Sequence, residues 1–354
     1  MIRSLPDARW ACTSCGACCQ GFRFGPVEPA VIQGLIEKNI AADWEPAKGG
    51  WYSESPGPDG QPAFFLRSTP SGACVFLQPD RRCAIHHLHG AEAKPGFCRE
   101  FPFRPVQIGL DTALIVRGEC AGLASTFQSG PLLSEQAAEV LALPRAVPVA
   151  SYAPRLTEIL PGLGVDPAAW DKLEALILPR LGGLEPVAAV VALRGMLAQA
   201  MGRPLPQSPQ APQALQHLVG RLHHLARQGA QAEGLLDWQK AVFADAQALL
   251  DQALRALVEQ DPPAPFSEDG RDYASLLLRQ CLLGREFAAV GSVAAGLGRV
   301  LLESRIVQAV ARGPLDALQF GRIHSRYLRF VDHGAVQQLL RSESGALVTV
   351  FLGV

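Results

Sequence analysis

The stretch CTSCGACCQGFRFGP, residues 12–26, places Cys12, Cys15, Cys18 and Cys19 within eight positions. Two residues between successive thiols let a tight turn aim both sulfurs at one ion while backbone amides donate to them. Zinc sites use that spacing, and its tripled form is common in iron–sulfur sites. Gly16 supplies the backbone freedom such a turn needs. The vicinal pair Cys18–Cys19 cannot easily aim both sulfurs at one tetrahedral centre. It either serves two centres or leaves one sulfur free.

Working outward, Cys74, Cys83, Cys98 and Cys120 complete a set of eight, and the ninth cysteine, Cys281, stands alone in an apolar stretch. Cys281 reads as a small buried apolar residue. The eight suffice for two tetrahedral sets, for one four-iron (4Fe-4S) cluster plus a zinc, or for one cluster with spare thiols. Clustered thiolates repel one another, and a bound metal removes that repulsion and releases protons. The alternative is a set of ordinary reduced cysteines, with at most a redox disulfide.

The 354 residues carry a formal charge of -1, so no basic field argues for nucleic acid or an anionic membrane surface as partner. The first residues lack the apolar run of a secretory signal. The most apolar stretch, 274–302, is interrupted by Arg279, Arg285, Glu286 and Arg299, and its uncharged part, Phe287 to Gly298, is too short to cross a bilayer. These features predict a cytoplasmic protein, where reducing conditions disfavour disulfides.

The fold class expected is mostly α: a small loop-rich, metal-bound cysteine domain over residues 1–128, then an α-helical domain over 129–354. The first part is rich in Cys, Gly, Pro and aromatics, so metal rather than an ordinary core is expected to hold it together. Short strands are expected at Pro62 to Arg67 and Thr112 to Arg117. Beyond residue 130, helical spacing of apolar residues predicts helices over Ser134–Leu143, Pro167–Leu181, Pro186–Met201, Gln210–Gln228, Gly234–Asp261, Arg271–Leu283 and Val293–Ala311, and one or two over Leu315–Leu340. Proline-rich connections are expected near Pro144–Pro154 and Pro204–Pro212. ALVTVFLGV, residues 346–354, reads as a strand or a buried tail.

CTSCGACC (12–19), GACVFLQPDRRCAIHHLHG (72–90) and KPGFCREFPF (94–103) together resemble the bacterial CxxCxxCC family of zinc- or iron-chelating domains. The resemblance runs through Cys74, Cys83 with Ile85, Pro95 with Cys98 and Arg99, Phe101 with Pro102, and Cys120. It implies metal ligation by Cys12, Cys15, Cys18, Cys19, Cys74, Cys83, Cys98 and Cys120. The longer gap from Cys83 to Cys98, with His89-Gly90 and Lys94-Pro95, is similar to the flagellin lysine-N-methylase branch. YASLLLRQCLLGREF (273–287) loosely resembles a stretch of that branch, whereas Phe101-Pro102-Phe103-Arg104 departs from its Tyr-Pro-Arg. The branch implies an iron–sulfur enzyme that transfers methyl groups from S-adenosylmethionine to lysines of a protein substrate.

Arg99 and Arg104 are candidates to donate to cluster sulfurs or to an anionic cofactor carboxylate, and Arg99 is the cofactor-binding candidate. Phe97, Phe101 and Phe103 are expected to form a dry shell around the metal. His86, His87 and His89 read as solvated loop residues, and Gly296 and Gly298 as sites of close helix packing. No phosphate-binding loop or nucleophile elbow is present. Two functions follow: a metal-binding protein with zinc or an iron–sulfur cluster, or the methyltransferase.

Overall fold

The computed structural model describes residues 1–56, 61–143, 149–152 and 156–354. It is mostly α, with strands concentrated toward the amino terminus. The strands are β1 (Ile2–Arg3), β2 (Phe24–Val27), β3 (Tyr52–Pro56), β4 (Pro62–Leu66), β5 (Phe103–Ile108), β6 (Asp111–Val116), β7 (Ala150–Tyr152), β8 (Thr157–Leu160) and β9 (Leu163–Val165). The helices of the first half are α1 (Pro29–Glu37), α2 (Ile40–Asp43), α3 (Ala84–His89), α4 (Gly96–Glu100), α5 (Leu123–Thr126) and α6 (Leu133–Ala142). Then follow α7 (Pro167–Ile177), α8 (Pro186–Met201), α9 (Ala211–Gln231), α10 (Asp237–Glu259), α11 (Glu268–Leu283), α12 (Val293–Val310), α13 (Ala317–Val331), α14 (Gly334–Ser342) and α15 (Ser344–Leu352).

The expected strands are β4 and β6, and the expected helices beyond residue 130 are all present within a few residues of their bounds. The tail ALVTVFLGV is not a strand but a buried tail, folded as helix α15, which buries Leu347 and Phe351. The expected connection near Pro144–Pro154 lies partly outside the described residues, and its described part includes strand β7. His86, His87 and His89 lie on helix α3 rather than in a loop.

The amino-terminal region has an ordinary apolar core after all. Phe24, Ile32, Leu35, Ile40, Phe76 and Ile85 form a buried cluster beside the three-stranded antiparallel sheet β2–β4–β3. It escaped notice in the sequence because its members come from short, widely spaced segments, so no single segment shows a long periodic face. A second sheet, ordered β1–β6–β5–β7, lies against α11. There the Gln280 side chain accepts the Val116 backbone N–H at 2.5 Å. Buried β6 residues Leu114, Ile115 and Val116 share their apolar cluster with Tyr273, Leu276 and Leu283 of α11 and Phe320 of α13.

Helix α12 runs through the middle of the carboxy-terminal bundle and is buried on most sides, as expected of a helix without a polar face. Gly296 and Gly298 permit this. A Cβ at Gly296 would lie 2.3 Å from the Phe287 Cβ, and one at Gly298 would lie 1.9 Å from the Leu347 carbonyl oxygen of α15. Buried charges tie the chain's start to the bundle. Fully buried Glu174 is held between Arg3, at 2.5 Å, and Arg285. Arg279 grips Asp7 with both terminal nitrogens, at 2.9 and 2.7 Å.

Candidate metal centre

The first loop is shaped by Gly16, whose φ is 67°, in the left-handed region that glycine enters freely. A Cβ there would also press on Arg81 and Leu77, at 3.0 and 3.1 Å, so the loop packs directly on the turn that leads into Cys83. The short 3-10 turn Ala17–Cys19 follows and presents Cys18 and Cys19. Their sulfurs are 3.9 Å apart. Cys74 is fixed beside them because its backbone N–H donates to the Cys19 carbonyl at 2.8 Å.

Cys83 precedes α3 and is held by a bridge to Leu77. Cys98 sits in the single turn of α4. Glu28, at the start of α1, accepts the Gly96 N–H at 2.9 Å, and a carboxylate there suits the unsatisfied N–H groups at a helix start. Arg99 directs one terminal nitrogen to the carbonyls of Glu92 and Lys94, at 2.7 and 2.5 Å, and so braces the loop that carries Cys98. Arg104 instead pairs with Glu286 at 2.9 Å.

Electrostatics show which thiols are neighbours. Burial, followed by Cys83 and Cys18, pushes the Cys74 thiol up to about 12. Packing around the sulfur, then Cys74, Cys83 and Cys18, pushes Cys98 well above the usual thiol range. Cys19 is raised by its hydrogen bond with Cys18 and by burial, and further by Cys74 and Cys98. Cys18 goes the other way, down to about 7. Its hydrogen bond with Cys19 outweighs burial, and the positive charges of Lys94 and Arg329 help. Cys18, Cys19, Cys74, Cys83 and Cys98, from four separated segments, are thus near enough to act on one another electrostatically.

Cys120 stands elsewhere, beside Trp10 and within reach of Cys15. The Cys120 thiol is pushed up to about 11 by burial, against a hydrogen bond from the Trp10 indole at 3.4 Å, and Cys15 raises it further. The Ser14 N–H donates to the Cys12 sulfur at 3.4 Å. Among the described residues, no three His, Cys, Asp or Glu side chains are drawn in to holding distance of a single point. All nine cysteines are free thiols. The donor kind suits zinc or iron, and the cysteine loops meet without having closed around an ion.

The carboxy-terminal helices cover these loops. A Cβ at Gly21 would lie 3.3 Å from Arg329 Cδ of α13, and one at Gly72 would lie 2.7 Å from Trp238 Cβ of α10. The Arg329 guanidinium carbon stands 5.8 Å from the Phe22 ring centre, and its buried Nε has no hydrogen-bond partner. Burial pulls the Arg329 pKa down, while Asp245, Cys15 and Cys18 pull against it. Arg329 was not legible as a site residue, because nothing in a helical sequence shows which distant loop its exposed end will meet. The aromatic residues divide: Phe97 packs on the Phe24–Ile85 cluster, whereas Phe101 and Phe103 belong to the β6–α11 cluster, where Phe103 meets Trp10 at 4.8 Å.

The CxxCxxCC family model, described as "Putative zinc- or iron-chelating domain", matches residues 11–121. This segment is similar to the CxxCxxCC family. The match spans all eight clustered cysteines, from Cys12 to Cys120, and supports metal binding by this segment. No curated protein and no solved structure matches the chain. Among the described residues, no helix of this segment or of the bundle beyond it is long and apolar enough to cross a membrane.

Proposed function

We propose that this chain is an iron–sulfur protein whose cluster is ligated within residues 1–128, with residues 129–354 serving as a helical support. The observation that carries the proposal is the meeting of two cysteine loops, with the Cys18 and Cys19 sulfurs 3.9 Å apart and the Cys74 backbone bonded directly to Cys19, inside the segment that matches a zinc- or iron-chelating family. An all-thiol set, the tripled Cys-x-x-Cys spacing and an adjacent apolar cluster suit a 4Fe-4S centre. Cys12, Cys15 and Cys120 form the second set, which serves a second metal or completes the first. Arg99 acts as the brace of the Cys98 loop. Nine free thiols accord with a cytoplasmic location. Zinc on the same ligands is the competing assignment.

Anaerobic purification followed by metal and sulfide analysis decides between them. Iron and acid-labile sulfide in comparable amounts, with broad visible absorption, support the cluster. Zinc without sulfide contradicts it. Methyl transfer from S-adenosylmethionine to a protein lysine is supported by the resemblance to the methylase branch alone. Calorimetric titration of the metal-loaded protein with S-adenosylmethionine tests it, and an absence of binding heat at millimolar ligand rejects it.

A further inference from the structure

Between the β5–β6 hairpin and helices α11, α12 and α13 lies a cleft of about 420 Å3. That is within the range of sites for small molecules, and junctions between packed units are a usual place for them. Its charges are mostly matched in pairs. Arg104 meets Glu286 at 2.9 Å, and Arg299 meets Glu303 at 2.8 Å. Arg117, however, is shared by Glu119, at 3.0 Å, and Asp332, at 3.7 Å. That side of the cleft therefore sets two carboxylates against one guanidinium, a local excess of negative charge. In a cleft with low-dielectric walls, that excess attracts a cation.

Two of the lining side chains are buried and incompletely bonded. His324, 5 % exposed, meets Glu303 through Nε2 at 3.1 Å and has no partner at Nδ1. Gln280, 3 % exposed, uses its oxygen on the Val116 N–H and leaves its amide nitrogen without a partner. That nitrogen is a donor and requires an acceptor. Buried polar groups of this kind are normally satisfied, so both invite a ligand. Leu277, Leu328 and Phe320 supply apolar wall.

We propose that this cleft binds a small organic cation that also carries a hydrogen-bond acceptor, a molecule of the amino-alcohol or amino-carbonyl type. The ammonium sits at the carboxylate side, shared by Asp332 and Glu119. The acceptor takes the Gln280 amide.

The test uses the full chain, purified anaerobically, at low ionic strength. Four probes of matched length are compared by ligand-observed saturation-transfer spectroscopy: 4-amino-1-butanol, n-butylamine, 1,4-butanediol and 4-hydroxybutyrate. The amino alcohol is expected to bind saturably, with a dissociation constant on the order of 1 mM for so small a ligand. Butylamine, which cannot accept from Gln280, binds more weakly, and the diol and the anion do not saturate. Asp332→Asn, at a half-exposed position where refolding is not at risk, weakens the amino alcohol roughly five- to tenfold, the effect of one partly exposed charge. Equal binding of the diol, preference for the anion, no saturable binding by any probe, or an unchanged affinity in Asp332→Asn overturns the proposal.

Discussion

The backbone N–H of Cys74 donates to the carbonyl of Cys19 at 2.8 Å, joining the first cysteine loop to the loop that follows strand β4. The hydrogen bond places the two thiols side by side before any ion is considered. A metal thus meets a partly organised ligand set, held on one side by the Gly16 turn and on the other by the Glu28-capped turn of α4.

Cys74→Ser and Cys98→Ser each remove a proposed ligand. Each variant is expected to lose at least about tenfold in metal retention, the typical order for damage to a metal site. Cys281→Ala, deep in α11 and remote from both sets, keeps the wild-type metal content. Elemental analysis of anaerobically purified variants checks both statements. Equal loss in all three would show that folding rather than ligation was disturbed.

Cys120→Ser reads the role of the second set. If Cys12, Cys15 and Cys120 serve a second metal, the variant loses that metal and retains the first. If they complete the first centre, all metal is lost together. Metal-to-protein ratios, measured with the Cys74→Ser variant in parallel, distinguish the two arrangements.

Arg329→Gln removes a cation that faces Cys15 and Cys18 from α13. Thiolate sites are negatively charged, and a nearby guanidinium offsets part of that charge. Metal affinity should fall roughly three- to tenfold, as expected for one partly buried charge. The melting temperature of the metal-free protein should stay near wild type, because Nε has no hydrogen bond to lose. Chelator competition reads the first quantity and calorimetry the second. An unchanged affinity removes Arg329 from the centre's surroundings.

Glu303 is buried, which acts to raise its pKa, but Arg299 and His324 outweigh that and hold it at about 2. Its folded-state pKa therefore lies below the ordinary 4.5. The stabilisation is fully present above about pH 4.5 and is lost as pH falls toward 2. Glu303→Gln leaves Arg299 buried without its counter-charge and should cost about 3 kcal/mol at pH 7. Urea unfolding at pH 7 and at pH 3 should show the gap between variant and wild type narrowing in acid. A gap independent of pH would mean that the carboxylate's charge contributes nothing.

Gly298→Ala places a methyl group 1.9 Å from the Leu347 carbonyl oxygen, against backbone that cannot rotate aside. Helix α15 must shift, at a cost of about 2 kcal/mol, within the range for overpacked cores. Thermal unfolding measures the loss. A wild-type melting curve would show that α15 is not packed as described.

The helices of the second half were legible because each carries its own apolar face and its own stops, such as Pro186 opening α8 and Pro262 following α10. Strand β2 was not, since its partner β4 lies far along the chain, and β3 and β5 were not, since each is only five or six residues long and carries a proline. The cysteines were recognisable from spacing alone. The closeness of Cys74 to Cys19 was not, because it depends on where β4 delivers Cys74. The tail misled for a different reason: residues 346–354 are apolar enough to suit either periodicity, and only the groove beside Gly298 selects a helix.

X-ray absorption at the metal edge of the anaerobically purified chain bears most directly on the convergence of these thiols. The account predicts a first shell made of sulfur, at about 2.3 Å, the usual thiolate distance. A shell dominated by nitrogen or oxygen, or a protein that retains no metal at all, would contradict it.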